Sequence, residues 1–263
     1  MNIDRSKFRE KFSGMPAWHC PTCATGTLHE VTKERLIAEP AYSKAEHIED
    51  WWGPEHIINR YCARMQCANP ACGEFVFVIG SSDLEPYYSE EGEEWSDRFQ
   101  PTAAYPYIPV FRLRDDWPGS VQQELKLAFA NIWSDAGASA NRLRTAVECL
   151  LDFLKVKKIS VSTKFTPPKK IKLSLHDRII VFKSNNIPAA ELLLAIKWLG
   201  NAGSHTDLKG ISRDAVLDGM ELMEHVLHLL FDKNTAAISK LAKSINKKKG
   251  PIYKSPKKTN WSF

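Results

Sequence analysis

Residues 197–205 read Lys197-Trp-Leu-Gly-Asn-Ala-Gly-Ser-His205, and the architecture of the C-terminal half turns on them. An apolar helical run, Leu192 to Leu199, leads into the stretch, and two glycines then flank Asn201. Glycine inside a helix costs about 1 kcal/mol relative to alanine. Gly200 and Gly203 therefore imply a special turn or a close approach to a neighbouring element. Ser204 and His205 follow at once. One reading is a helix end carrying a surface histidine. The other is an active or binding site at that end, because imidazole exchanges protons near neutral pH.

The flanking sequence is helical on both sides. Val121, Leu125, Phe129 and Ile132 recur on one face, and Leu143, Val147, Leu150, Leu151 and Leu154 make a second stripe. Ser174 with Asp177 reads as a capping box, and Pro118 and Pro188 suit helix entries. Ser212 or Asp214 opens a helix with Val216, Met220, Met223, Leu227 and Leu230 turned inward, and a last helix is expected over 235–246. Residues 155–172 carry seven lysines, no acid and Pro167-Pro168, which predicts an exposed basic loop. The expectation is an up-and-down all-α bundle over 117–246.

The N-terminal part is written differently. His19-Cys20-Pro-Thr-Cys23 and Cys67-Ala-Asn-Pro-Ala-Cys72-Gly73 each sit between runs of strand character. Clustered cysteines without an export signal favour metal over disulfides. Two cysteine turns on hairpins predict a zinc ribbon, with Cys20, Cys23, Cys67 and Cys72 as four thiolate ligands of a structural Zn2+ closed to substrate. Cys62 could replace one ligand, and His19 and His29 are weaker substitutes. Buried free thiols and a redox pair are the other readings of the same residues.

These elements predict an α+β two-domain chain. A zinc ribbon with an insertion (about 39–56, where Trp51 and Trp52 are expected to pack) would fill 1–82, its first sixteen residues a short helix or tether. An irregular acidic, proline-rich linker would span 83–116, the bundle 117–246 and a basic tail 247–263. The 263 residues carry a net charge of +5, yet eight lysines and no acid lie from Lys240 onward, leaving −3 for everything before. A whole-chain pI is thus a weak guide to the body's partner. No apolar run is long enough to cross a membrane, and the start lacks a signal-type apolar region, so a cytoplasmic protein is expected. There is no phosphate-binding glycine loop, no dinucleotide fingerprint and no nucleophile elbow.

Arg144 and Glu148 stand four residues apart on one helix face, while Arg142 points elsewhere. Three segments, Leu143-Arg-Thr-Ala-Val-Glu148, Leu173-Ser-Leu-His-Asp-Arg-Ile179 and Lys197 to His205, together resemble the bacterial domain-of-unknown-function family 4145, grouped with the HEPN superfamily. The resemblance covers roughly 117–232, and more loosely the ribbon, which is common in that family. It implies a HEPN-like bundle, often dimeric, in prokaryotic defence and restriction contexts. Active HEPN proteins are metal-independent ribonucleases marked by an Arg, then a polar residue, then a His four to six residues from the Arg. Asn201 matches the polar residue and His205 the histidine, whereas the Arg position holds Gly200.

The candidate site implied is His205, Asn201, Arg144, Glu148 and Lys197. A ribose 2′-OH would attack the adjacent phosphate, with His205 as general base or acid, Arg144 or Lys197 stabilising the phosphoryl oxygens, and Asn201 orienting. The 2′-OH requirement makes the substrate RNA. The basic segments would hold phosphates by counterion release. One histidine per chain suits a homodimer that brings two sites together, and Trp133, Trp198 and the helix over 212–232 supply apolar surface for it. Two functional readings follow: a non-catalytic module that binds nucleic acid or a protein partner, in which His205 donates to a backbone carbonyl, and a ribonuclease of the toxin-like effector type.

Overall fold

The computed structural model describes residues 3–23, 25–90, 92–162, 168–203, 210–232 and 247. An antiparallel sheet forms first, from β1 (Trp18–His19), β2 (Thr27–Glu30), β3 (Leu36–Ala38), β4 (Ile58–Cys67), β5 (Phe75–Ser89) and β6 (Gly92–Tyr105). The strand order is β1-β2-β4-β5-β6, with β3 beside the half of β4 that β2 does not reach. Tyr61, Ala63, Met65 and Cys67 alternate inward along β4, and Val76 and Val78 do so along β5. That period of two is what puts one face of a strand in the core. A bulge at Ile79/Gly80 bends β5. A Cβ on Gly80 would lie 2.0 Å from the Gln100 carbonyl oxygen, so only glycine fits there.

The acidic segment expected as an irregular linker, 83–116, is mostly sheet. Tyr87 pairs with Glu94, Glu85 with Ser96 and Asp83 with Arg98 across β5 and β6. Several of its acids find specific partners: Arg98 donates to Glu85 at 2.7 Å, Ser82 donates to Asp97 at 3.1 Å, and Tyr87 and Ser89 donate to Glu94. Cross-strand partners such as these offset the charge that composition alone reads as a solvated loop. The rest of the segment is a buried strap, with Ile108, Val110 and Phe111 in the core.

Five longer helices follow: α2 (Gly119–Ala130), α3 (Ala136–Phe153), α4 (Leu175–Lys183), α5 (Ile187–Ala202) and α6 (Arg213–Phe231); the short α1 (Ala41–Ala45) lies in the insertion between β3 and β4. Asp135, Ser174, Asn186 and Ser212 each accept a backbone N–H of the first turn, and Ser174 with Asp177 completes the capping box. The stripe Leu143, Val147, Leu150, Leu151 is buried as its spacing requires. The lysine-rich segment 155–172 is not simply a loop. Ile159–Ser162 and Lys169–Lys172 pair as a hairpin, β7 and β8, because Ile159, Val161 and Ile171 supply the β-branched residues that lysine counting overlooks. The helix expected over 235–246 and the tail 247–263 fall outside the described residues, Lys247 excepted.

Sheet and helices share one core. Trp18 of β1 lies 5.6 Å from Trp133, between α2 and α3, and Phe111 lies 5.0 Å from Phe129 of α2. The N-terminal segment is not a tether. Phe8 stacks on Trp133, Phe12 pairs by backbone hydrogen bonds with Phe99 of β6, and Arg5 bridges to Asp218 and Glu221 on α6. Trp52 packs on His47 as expected of the insertion, but Trp51 is exposed at the surface.

Candidate metal centre and cationic groove

The two cysteine turns meet at one end of the sheet because β2 lies between β1 and β4, with Leu28 opposite Cys67. The first turn is closed by Cys20 N–H donating to the Gly26 carbonyl, the second by Cys67 N–H donating to that of Glu74. The cysteines of the second turn are two residues further apart than those of the first. Asn69 absorbs the excess: its side-chain oxygen accepts Ala71 N–H, its carbonyl accepts Cys72 and Gly73 N–H, and Gly73 turns with φ +63°.

The Sγ atoms of Cys20, Cys23, Cys67 and Cys72 all lie within 4.8 Å of one another, and none is in a disulfide. Cys20 and Cys72 are 3.8 Å apart, Cys23 and Cys67 3.6 Å. Four thiolates about 2.3 Å from a tetrahedral ion stand about 3.8 Å apart along each edge. Backbone N–H groups of Thr22, Gly26 and Asn69 donate to Cys20, Cys23 and Cys67, which favours thiolate charge. A Cβ on Gly26 would sit 2.2 Å from the Cys67 sulfur, so the backbone must approach the cluster there as glycine. Burial pushes the Cys20 thiol up to about 12. Burial also opposes ionisation of Cys23, but hydrogen bonds from Gly26 N–H and the Cys67 and Cys72 thiols bring it down to about 6. The four residues can hold a metal ion. Cys62 stands apart on the outer sheet face, paired with Leu36 and Ile79. His19 contacts Arg112, and His29 contacts Thr27.

On the helical side, a groove of about 430 Å³ opens between α3, β8 and α4. Arg144, Lys158, Lys172 and Arg178 line it together with Glu148 and Asp152. Arg178 is the most constrained. It falls between Leu175, Ile179 and Phe182 on the apolar face of α4, so its side chain is only 7% exposed. It donates to Asp152 at 2.6 Å and to the Val156 carbonyl at 3.2 Å, while its Nε is buried with no partner among the described residues. Lys158 reaches the other Asp152 oxygen at 2.7 Å. Burial works to raise the Asp152 pKa, but these two cations outweigh it and hold the carboxyl below its ordinary 3.8.

A depressed carboxyl pKa gives stability that is complete above the ordinary value and fades as pH falls through the lowered one. The Asp152–Arg178 anchor should therefore persist through the neutral range and contribute to unfolding only in strong acid. Arg178→Ala is expected to cost about 2 kcal/mol at pH 7. Asp152→Asn should flatten the acid limb of a plot of stability against pH, a change that urea melts across the acid range can read.

Arg144 and Glu148 form the expected pair at 3.5 Å, each side chain more than a third exposed. Lys197 is largely buried, its ammonium 3.3 Å from the centre of the Trp198 ring. Asn201 lies in the last turn of α5. His205 lies outside the described residues. Gly200 and Gly203 do not loosen a turn: α5 stays helical through Ala202, and Gly203 has φ −67°. Both serve close approach. A Cβ on Gly200 would meet the Arg144 Cβ at 2.6 Å, and one on Gly203 would meet the Gly137 carbonyl at 2.8 Å. The Arg144 side chain thus lies across Gly200, one residue before Asn201. Lys158 and Lys172 belong to the basic segment expected to hold phosphates, whereas Asp152 and Arg178 escaped the sequence reading, although an arginine within an apolar stripe was a legible sign of burial and pairing.

Comparison with known families adds two matches. Residues 7–106 match a family model described as Domain of unknown function (DUF8608), and residues 126–248 match Domain of unknown function (DUF4145). The second span contains all three helix motifs around Arg144, Ser174 and Asn201. No curated protein and no solved structure matches.

Proposed function

We propose that this chain is a zinc-stabilised, HEPN-like nucleic-acid-binding protein of the bacterial cytoplasm, acting in a defence or restriction setting and gripping RNA by its phosphates. The observation that carries this reading is the groove in which Arg144, Lys158, Lys172 and Arg178 converge against only two carboxylates. Asp152 is already engaged by two of those cations, and the basic hairpin β7–β8 extends the charge beyond the rim. Phosphate contacts of this kind bind by releasing counterions, so affinity should fall steeply with salt. The four-thiolate site suits zinc, which would hold the two cysteine turns together and take no part in chemistry.

The test is binding of a labelled single-stranded RNA, measured by fluorescence anisotropy at several salt concentrations. Arg144→Glu with Lys172→Glu should weaken binding at least tenfold and flatten the salt dependence. Unchanged affinity in the folded double variant would move the RNA site away from the groove, and no binding by the parent chain would make a protein partner the better reading.

A second reading, metal-independent ribonuclease, is favoured by one observation. Arg144 lies against Gly200, so a cation stands beside the position at which the related enzymes carry their arginine. In that reading Arg144 would stabilise the phosphoryl oxygens, Glu148 would steer it, Lys197 would add to the local charge, Asn201 would orient and His205 would move the proton. A homodimer would bring two His205 side chains to one site. Cleavage that survives EDTA and disappears in His205→Ala would establish it. Intact RNA in both lanes would leave the binding module.

A further inference from the structure

The sheet carries a second surface that the groove does not use. Alternation along β4 and β5 turns Arg60, Cys62, Arg64, Phe75, Phe77 and Ile79 to the face opposite the core. Phe75, Phe77 and Ile79 are 44%, 41% and 47% exposed, and Tyr105, cross-strand from Phe77, is 82% exposed. Aromatic rings on an open sheet face cost solvation without packing in return, so such a cluster marks a contact surface. The rings already have order: Phe75 and Phe77 meet edge to face at 5.5 Å, and the Arg64 guanidinium lies 5.2 Å from the Phe75 ring centre. Beside them, at the β5 bulge, a cavity of about 470 Å³ opens between Arg60, Ile79, Gly80, Ser81 and Thr102.

We infer that this face is a stacking platform for single-stranded nucleic acid, with bases laid on Phe75, Phe77 and Tyr105, phosphates drawn to Arg60, and one base seated at the bulge. The charge on the face selects this occupant. Arg64 is already paired with Glu34 at 2.6 Å, but Arg60, held by the Tyr42 hydroxyl at 2.9 Å, meets no carboxylate among the described residues, and the acids of Glu85 to Asp97 lie toward the far end of the β5–β6 hairpin. Base stacking on aromatic side chains is tolerant of sequence and requires unpaired bases. The duplex is therefore excluded, because its base faces are already stacked. This platform rests on the nucleic-acid reading above and gives it a substrate class: an unpaired strand that runs across the sheet as well as the groove.

The experiment compares labelled oligouridine, oligothymidine and a duplex of equal length on the full, zinc-loaded chain. Both single strands should bind at least tenfold more tightly than the duplex. Tighter oligouridine than oligothymidine would make the strand RNA, and equal affinities would make it either kind of single strand. Phe77→Ala and Phe77→Leu should each lose about tenfold, while Phe77→Tyr, which keeps a ring, should bind as the parent does. If Phe77→Ala fails to fold, Tyr105→Ala carries the same expectation at a largely solvated position. Binding that ignores Phe77→Leu and Tyr105→Ala but collapses with Arg144→Glu and Lys172→Glu would overturn the platform and leave the groove standing. No binding by the parent chain would overturn both. A parent dimer that Phe77→Ala converts to monomer would instead make the face an interface between copies, and the platform would be rejected.

Discussion

Cys67→Ser is expected to strip the bound metal and lower the Tm by about 10 °C or more, on the order of 3–5 kcal/mol. The size follows from position. Cys67 ends β4, the strand that holds β2, β3 and β5 together, and its sulfur faces Cys23 at 3.6 Å. Without a metal, nothing would bridge the cysteines of the first turn to those of the second, and the two turns would separate. Leu28, opposite Cys67 and wholly buried, would then lose its cover. A strong chelator should reproduce the loss in the parent chain. Cys62→Ser is the matched control, since its sulfur sits on the outer face, away from the cluster. Metal content by mass spectrometry beside a thermal melt checks both. A fully stable, metal-free Cys67→Ser would remove the metal from the account.

The second large effect is expected from Gly200→Arg, the change that would write in the arginine of the HEPN ribonucleases that the sequence resembles. It should disrupt the protein and not restore an enzyme. Even the Cβ of Gly200→Ala would lie 2.6 Å from the Arg144 Cβ and 3.1 Å from the Ala140 carbonyl oxygen, so α3 and α5 would have to part. Overpacking of this kind costs about 1–3 kcal/mol for alanine. Arginine at the same place should cost more and leave little soluble folded protein. Gly203→Ala should resemble Gly200→Ala, because the Gly137 carbonyl and the Ala140 Cβ crowd it. Urea denaturation of the two alanine variants measures the effect. Parent-like stability would mean that α3 and α5 do not touch as described. The same contact explains why a glycine stands at this position: the charge on this side of α5 is carried by Arg144 of the neighbouring helix.

Much of this architecture was written in local pattern. Leu143, Val147, Leu150 and Leu151 repeat at helical spacing and are buried, and Ser174 with Asp177 signals a helix start that forms as expected. Cys20, Cys23, Cys67 and Cys72 come together because their spacing encodes two turns on adjacent hairpins. What escaped depends on partners distant in sequence. The acids from Asp83 to Asp97 look like a solvated loop until Arg98 and Lys11 are brought to them across the sheet. Residues 107–116 look like a linker because local sequence does not reveal that Phe111 will meet Phe129. At the candidate site, Arg144 with Glu148 could be read from a four-residue spacing, but Arg178 with Asp152 joins α4 to α3 across twenty-six residues. The glycines at 200 and 203 announced an unusual backbone demand without saying which, and the demand is contact between helices.

The measurement that bears most directly on the central claim is hydrogen exchange of the metal-loaded chain with and without saturating single-stranded RNA. Bound phosphates should slow exchange in the groove-lining segments around 144–162 and 169–178, with the midpoint of that protection shifting to higher RNA concentration as salt is raised. RNA binding that leaves those segments unprotected, or no binding at low salt by folded, metal-loaded protein, would contradict the account.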